Sequence, residues 1–253
     1  MNKHYTVIGA GSVGIGTALH LQQRGFKVTL VDKALPASQT SYGNAGVINS
    51  SSFTPLNNPS LLGKLPRLLL NNHAYLRYNI PHVLKNLPWC FHFLRGCTEG
   101  KTLETSKALH ELCSGALDEH RALMQRCGNM HRLSQSGWLK LFRKSGPLPP
   151  DSKDATVLDN YGITFRAVDE NEIRDLEPDL KPIFTGGFLL SDSASVNNPG
   201  QLLREYVEQF TNDGGEFVSA NVQSIKESNE GEQTASFRLV CEDKDLHLSL
   251  IHI

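Results

Sequence analysis

The 253-residue sequence predicts an α/β protein, a Rossmann-like dinucleotide-binding domain interrupted by an inserted α+β region. Three observations predict it. Residues 5–32 read as strand, glycine turn, helix, strand and acidic residue. The middle of the chain carries helical periods followed by short strand-like runs. Residues 199–222 then return to a helix-and-strand pattern like that of the first unit.

The first unit is Tyr5-Thr-Val-Ile-Gly9-Ala-Gly11-Ser-Val-Gly14, continuing to Lys27-Val-Thr-Leu-Val-Asp32. Gly9 permits the tight turn out of the strand, Gly11 leaves room for a pyrophosphate, and Gly14 lets the helix lie close to the sheet. The helix begins near Ser12, turns Ile15, Ala18 and Leu19 inward, and stops at Gly25 in the left-handed C′ position. Its free N–H groups and positive end make an anion site, expected at Gly9, Gly11, Ser12, Val13 and Gly14. Asp32 stands eighteen residues past Gly14, where its carboxylate can accept from a ribose hydroxyl and repel a 2′-phosphate. Lys33 beside it is counted with the cofactor-binding residues.

Composition narrows the class. The chain is 39% hydrophobic and 20% charged, with a net charge of −1 and no basic block, which excludes a nucleic-acid partner. Five cysteines without a C-x-x-C pair suit reduced thiols in the cytoplasm. Ten histidines without H-E-x-x-H spacing give no metal site. The first strand starts too near Met1 for a secretory leader, and no apolar run approaches the roughly eighteen residues of a membrane span.

Residues 37–48 are small, polar and glycine-bearing. Their composition suits either a surface loop or a loop whose backbone lies against a flat ligand. Residues 59–72 are leucine-rich, broken by Pro66, and carry Lys64 and Arg67. They suit a membrane-surface helix or packing on the protein itself, and the second reading is adopted. Helices are expected over 80–96 and 101–127, the latter with an inward stripe of Leu103, Leu109, Leu112, Ala116, Leu117 and Leu123. His110 and His120 are read as solvated or satisfied, not as ligands. Strands are expected at 139–142, 163–168 and 187–190, helices at 151–161 and from Asp169 to Glu177, and a break at Ser145–Pro150. Pro199 opens a helix with Leu202, Leu203, Tyr206, Val207 and Phe210 on one face, Asp213-Gly214-Gly215 closes it, and Glu216–Ser219 is a strand.

The stretch Thr40-Ser41-Tyr42-Gly43-Asn44-Ala45-Gly46, coming after the fingerprint and Asp32, resembles the flavin-proximal loop of FAD-dependent D-amino-acid dehydrogenases. These belong to the D-amino-acid oxidase and glycine oxidase superfamily. Trp89-Cys-Phe-His-Phe-Leu-Arg95-Gly-Cys-Thr98, Ser136–Phe142, and Gly186–Leu190 through Asn198-Pro199-Gly200-Gln201-Leu202 resemble further family segments in the same order. The resemblance implies a glutathione-reductase-type FAD domain with an inserted substrate domain. It divides the chain into 1–85 (FAD domain), 86–190 (partial substrate domain), 191–247 (return to the FAD domain) and a tail, 248–253. It also implies that Thr40, Ser41, Asn44, Ala45 and Gly46 lie near the flavin, that Glu216–Ser219 is the third parallel strand, and that the Val222 backbone meets the adenine.

The implied activity is oxidation of the CH–NH2 group of D-amino acids to 2-oxo acids and ammonia through hydride transfer to FAD. A quinone or another carrier is the implied acceptor, and peripheral contact with the cytoplasmic face of the inner membrane is compatible with it. Alternatives are a glycine- or sarcosine-type amine oxidase using oxygen, a nicotinamide enzyme sharing only residues 5–32, and an inactive fragment that partly binds a dinucleotide. No catalytic residue is assigned.

Alternation at 234–241 and 246–253, around Asp243-Lys244-Asp245, predicts a hairpin. Leu248-Ser-Leu-Ile-His-Ile253 is also the translation of CTG TCT CTT ATA CAC ATC, a transposon mosaic end used in library preparation. The competing expectation is a non-native tail from 248, with the natural chain continuing. The first strand would then have an unpaired edge, and this chain would be poorly soluble or bind FAD weakly.

Overall fold

The computed structural model describes residues 4–71, 77–143, 153–228, 236–242, 246–248 and 251–252. In chain order the elements are β1 (His4–Ile8), α1 (Ser12–Gln23), β2 (Lys27–Asp32), β3 (Val47–Asn49), α2 (Pro59–Leu68), α3 (Ile80–Lys85), α4 (Leu87–Arg95), α5 (Glu99–Cys113) and α6 (Ala116–Arg126). There follow β4 (Leu133–Ser134), β5 (Trp138–Phe142), α7 (Lys153–Asn160), β6 (Phe165–Asp169), α8 (Glu170–Leu176), β7 (Gly186–Leu190) and β8 (Ser193–Val196). The last are α9 (Pro199–Asn212), β9 (Glu216–Ser219), β10 (Val222–Ser228), β11 (Ser236–Cys241), β12 (Leu246–Leu248) and β13 (Ile251–His252).

The chain forms two compact units, 1–48 with 119–135 and 194–253, and 49–118 with 136–193. These bounds differ from the sequence division in three segments: 49–85 and 191–193 lie in the second unit and 119–135 in the first.

The first unit is built on a four-stranded sheet in the order β13-β1-β2-β9. β1 and β2 pair in parallel from His4↔Lys27 to Ile8↔Val31, and β9 joins β2 in parallel from Thr29↔Glu216 to Asp32↔Ser219. The third parallel strand therefore lies where the resemblance implies. α1 buries Ile15, Ala18 and Leu19 completely. It ends in a Schellman pair: the Gly25 N–H donates to the Gln22 carbonyl and the Phe26 N–H to Leu21, with Gly25 at φ +80°. α9 buries Leu202, Leu203, Tyr206 and Phe210 and begins at Asn198, whose side chain accepts from the Gln201 N–H.

Three features of this unit correct the sequence reading. β3, β8 and β4 form a small sheet from runs of two to four residues, too short to show a period. β10 pairs antiparallel with β11, so the strand at 236–241 has a partner on each side. The predicted hairpin is present over Phe237↔Leu248 to Leu239↔Leu246, with its turn at 243–245 outside the described residues. The edge of β1, expected to be unpaired, meets β13 through Thr6↔Ile251 and Val7↔His252.

The second unit holds a three-stranded antiparallel sheet, β5-β7-β6. Its core is Phe53, Ala155, Leu158, Ile163, Phe188 and Leu190. Phe53 and Phe188 are at most 1% exposed, and each such burial contributes about 1.5–3 kcal/mol. Asp169 and Glu172 form a capping box that starts α8. The expected helix over 101–127 is instead two helices, broken at Ser114-Gly115. The predicted stripe fails within α5, where Leu103 and Leu112 stand on opposite sides of the helix and are 64% and 80% exposed, whereas Leu117 and Leu123 in α6 are buried. The expected helix over 80–96 also divides, at Asn86, because Pro88 sits in the first turn of α4. The break at Ser145–Pro150 lies outside the described residues. No described helix is long and apolar enough to cross a membrane.

Candidate dinucleotide site at the glycine turn

The site is built where β1 hands over to α1. The Gly9 N–H donates to the Val31 carbonyl at 2.7 Å, and Gly9 turns the chain at φ +105°. A Cβ on Gly14 would lie 1.7 Å from the Gly9 carbonyl oxygen, so the turn closes over a position that only glycine occupies. α1 begins at Ser12 with no side-chain cap and no acidic residue in its first turn. Val13 is 81% exposed, leaving this end of the helix open. An uncapped helix start presents N–H groups and partial positive charge.

Asp32 closes the far side of the turn. Its Oδ2 accepts from the Ala10 N–H at 2.7 Å and its Oδ1 from the Ala34 N–H at 2.9 Å. A carboxylate offers about four acceptor positions, so each oxygen retains one. Ala10 is held on both sides, since its carbonyl also accepts from the Ala37 N–H at 2.9 Å. Ala37 is buried and sits at φ +56°. Sequence reading passed over Ala10 and Ala37 because neither carries a functional group.

The loop at 40–46 comes to the same place. Ser41 Oγ accepts from the Ser12 N–H at 3.1 Å and lies 3.2 Å from where a Gly11 Cβ would be. Asn44 folds the loop on itself: its amide donates to the Ser41 carbonyl and its Oδ1 accepts from the Gly46 N–H, both at 2.7 Å. Gly46 is packed against β8, its carbonyl accepting from the Val196 N–H at 2.7 Å. A Cβ there would lie 2.3 Å from the Val196 oxygen. Tyr42 covers Gly200 at the start of α9, and the Arg204 guanidinium lies 5.3 Å from its ring centre. Thr40, Ala45 and Lys33 are exposed. Val222 is half-buried at the start of β10, against the cluster of Val31, Ala220, Leu239 and Cys241. Its link to the turn runs through the Ala220 N–H, which donates to the Asp32 carbonyl. Gly9–Gly14, Asp32 and Ser41 are thus gathered at one turn, with Val222 at the sheet end beyond Asp32.

These residues suit an FAD pyrophosphate and ribose. Gly9, Gly11 and Gly14 carry no Cβ toward the cradle, the Val13 end of the helix is exposed, Ser41 Oγ reaches in to accept from the Ser12 N–H, and one acidic residue stands at the end of β2. Among the described residues, no three His, Cys, Asp or Glu side chains cluster as a metal site.

The titrating groups displaced from their ordinary values lie away from the turn, along α6 and α9. Burial, with a smaller contribution from His20, lowers the His120 imidazole, whose Nδ1 is 3.4 Å from the Tyr206 hydroxyl. Burial likewise raises the Tyr206 phenol and pushes the Cys127 thiol up to about 11. The Arg132 hydrogen bond holds Glu205 below the usual carboxylate range, through a two-pronged contact at 2.5 and 2.8 Å. Glu205 also accepts from Asn129, and this network joins α9 to the segment before β4. His120 is therefore partnered, as expected. His110 lies between Phe53 and Tyr161, with ring centres 5.3 and 4.9 Å away, and its Nδ1 is buried without a hydrogen-bond partner among the described residues.

The fold and the turn define a Rossmann-like dinucleotide-binding unit. The family model for FAD-dependent oxidoreductases matches residues 4–243, and the chain belongs to that family. A D-amino-acid oxidase of Bradyrhizobium diazoefficiens is 28% identical over 227 residues, 88% of this chain and 54% of the relative. A glycine oxidase from Bacillus cereus ATCC 14579 superposes with a TM-score of 0.58 at 15% identity, over 99% of this chain and 54% of that one. An L-α-glycerophosphate oxidase from Mycoplasma pneumoniae with FAD bound superposes at 0.55 and 17% identity, over 98% and 52%. The solved structures share the fold, and the chain spans about half the length of these relatives.

Proposed function

We propose that this chain carries the ADP-binding side of an FAD site in an enzyme that oxidises the CH–NH2 group of D-amino acids. The observation that carries the reading is the open start of α1 enclosed by Gly9, Gly14, Asp32 and Ser41. The α1 N–H groups at Val13 and Gly14 hold the pyrophosphate, joined by the Ser12 N–H when it turns from Ser41 Oγ, and Asp32 accepts from the ribose while repelling a 2′-phosphate. Thr40, Ser41, Asn44, Ala45 and Gly46 line the approach to the flavin, and the Val222 backbone meets the adenine. FAD, when bound, supplies the acceptor for a hydride from the substrate α-carbon. The protein binds and orients that carbon, excludes water, and leaves the imine to hydrolyse to a 2-oxo acid and ammonia.

A quinone or another carrier at the cytoplasmic face of the inner membrane takes the electrons. Glycine oxidases among the structural neighbours favour a second reading, an amine oxidase that passes electrons to oxygen. Turnover of D-alanine, L-alanine, glycine and sarcosine, with an artificial acceptor and with oxygen, separates the two in the longest protein the gene encodes. D-Alanine oxidation without hydrogen peroxide supports the first reading. Glycine oxidation with peroxide supports the second, and turnover of L-alanine alone overturns both.

A further inference from the structure

From Lys33 to Thr98 the sequence contains no Asp or Glu, although acidic residues slightly outnumber Lys and Arg over the whole chain. Within that stretch lie Lys64, Arg67, Arg77, Lys85 and Arg95. α2, α3 and α4 are contained in it and are tied to one another. Asn71, just past α2, exchanges hydrogen bonds of 2.8 and 2.9 Å with the Tyr78 backbone just before α3. Asn86 joins α3 to α4, and Gly96 at the end of α4 packs on Asn57 just before α2.

These helices leave apolar side chains uncovered. α2 turns Leu68 inward but exposes Leu62, Leu69 and Leu70 around its outer side and end. The expectation that 59–72 packs on the protein therefore holds for one stripe only. In α4, Leu87, Phe91 and Leu94 recur at helical spacing, and all three are exposed, Phe91 at 60%. Trp89, 65% exposed, is stacked on Phe93 with ring centres 5.1 Å apart. Arg95 lies 5.7 Å from the Phe91 ring centre, and with His92, Gly96 and Lys101 it lines a cavity of about 320 Å³ without an acidic residue.

Leucine, tryptophan and phenylalanine beside a basic majority, with Glu99 at the start of α5 just past the stretch, are the chemistry of a helix lying in a lipid–water interface. A second copy of the chain fits poorly, because a two-fold contact would set this basic face against itself. We propose that α2–α4 form a docking face for the surface of an anionic phospholipid bilayer. The apolar side chains enter the interface, and the His92–Arg95–Lys101 cavity receives a lipid phosphate. This deepens the membrane part of the reading above and does not depend on the amine chemistry.

The test uses tryptophan emission and needs neither FAD nor turnover. Trp138→Phe leaves Trp89 as the single tryptophan. Vesicles of phosphatidylcholine with phosphatidylglycerol at 7:3 should shift its emission to shorter wavelength, and pure phosphatidylcholine should not. The shift should recede in 0.5 M salt. Lys85→Glu with Arg95→Glu should weaken binding by about tenfold or more, with an unchanged far-ultraviolet circular dichroism spectrum. If that variant does not fold, the salt dependence of the parent protein decides. Equal binding to neutral vesicles, or no binding to either, overturns the proposal. So does a concentration-dependent dimer, or a longer form of the protein, that shields Trp89 from acrylamide without lipid.

Discussion

The Asp32 carboxylate accepts the Ala10 N–H at 2.7 Å, across 22 residues of sequence. The residue proposed for the ribose therefore also locks the turn proposed to receive the pyrophosphate. Asp32→Asn retains one acceptor oxygen and turns an NH2 group toward a backbone N–H, Ala10 or Ala34. The variant without nucleotide should lose about 1–3 kcal/mol of stability, measured by urea unfolding. Unchanged stability would limit Asp32 to the cofactor.

Gly14 and Gly16 make a paired test within one helix. A Cβ on Gly14 meets the Gly9 carbonyl oxygen at 1.7 Å, whereas one on Gly16 meets nothing within 4 Å. Gly14→Ala should cost about 1–3 kcal/mol or more and abolish nucleotide binding. Gly16→Ala should stabilise by about 0.5–1 kcal/mol through helix propensity. Calorimetry of both variants checks the contrast.

His120 sets an acid limit on stability. Its folded-state value is lowered from 6.5 by burial and by His20. Below about pH 6.5 the unfolded chain takes this proton before the folded one does, so stability is full above that pH and falls as pH drops through the lowered value. The slope is at most about 1.4 kcal/mol per pH unit. Unfolding measured from pH 7.5 to 5 should show a shallower loss in His120→Gln. An identical profile would place the acid sensitivity elsewhere.

Cys127 should be a slow thiol. Burial, offset in part by Arg126 and reinforced by Asp213 and Glu205, pushes it to about 11 from 9.0. The thiolate fraction at pH 8 is then about a hundredfold below that of a free thiol. Iodoacetamide labelling read by peptide mass spectrometry should be slow in the native protein and ordinary in urea. Equal rates in the two states would contradict the burial.

The segments legible in the sequence are those whose signals are local. The glycine turn, α1 with Gly25, β2, and α8 with its Asp169–Glu172 box each declare themselves within a few residues. The placement of β9 beside β2 came from the family resemblance, not from periodicity. What escaped depends on contacts distant in sequence. The Asp32–Ala10 bond, the Ala37–Ala10 tie and the packing of Gly46 on Val196 exist only once the turn has closed. The β3-β8-β4 sheet is too short for a period to register. The exposure of Leu103 and Leu112 follows from their standing on opposite sides of α5, which a list of leucines at mixed spacings conceals.

Gly9–Gly14 with Asp32 is the proposed seat of the ADP side of FAD. Titration of the chain with FAD, ADP and 2′-phospho-ADP, in parallel with its Gly14→Ala variant, decides it. FAD and ADP should bind, the 2′-phosphate should weaken binding by about tenfold or more, and Gly14→Ala should abolish it. Binding of 2′-phospho-ADP as tight as that of ADP, or binding that survives Gly14→Ala, would contradict it.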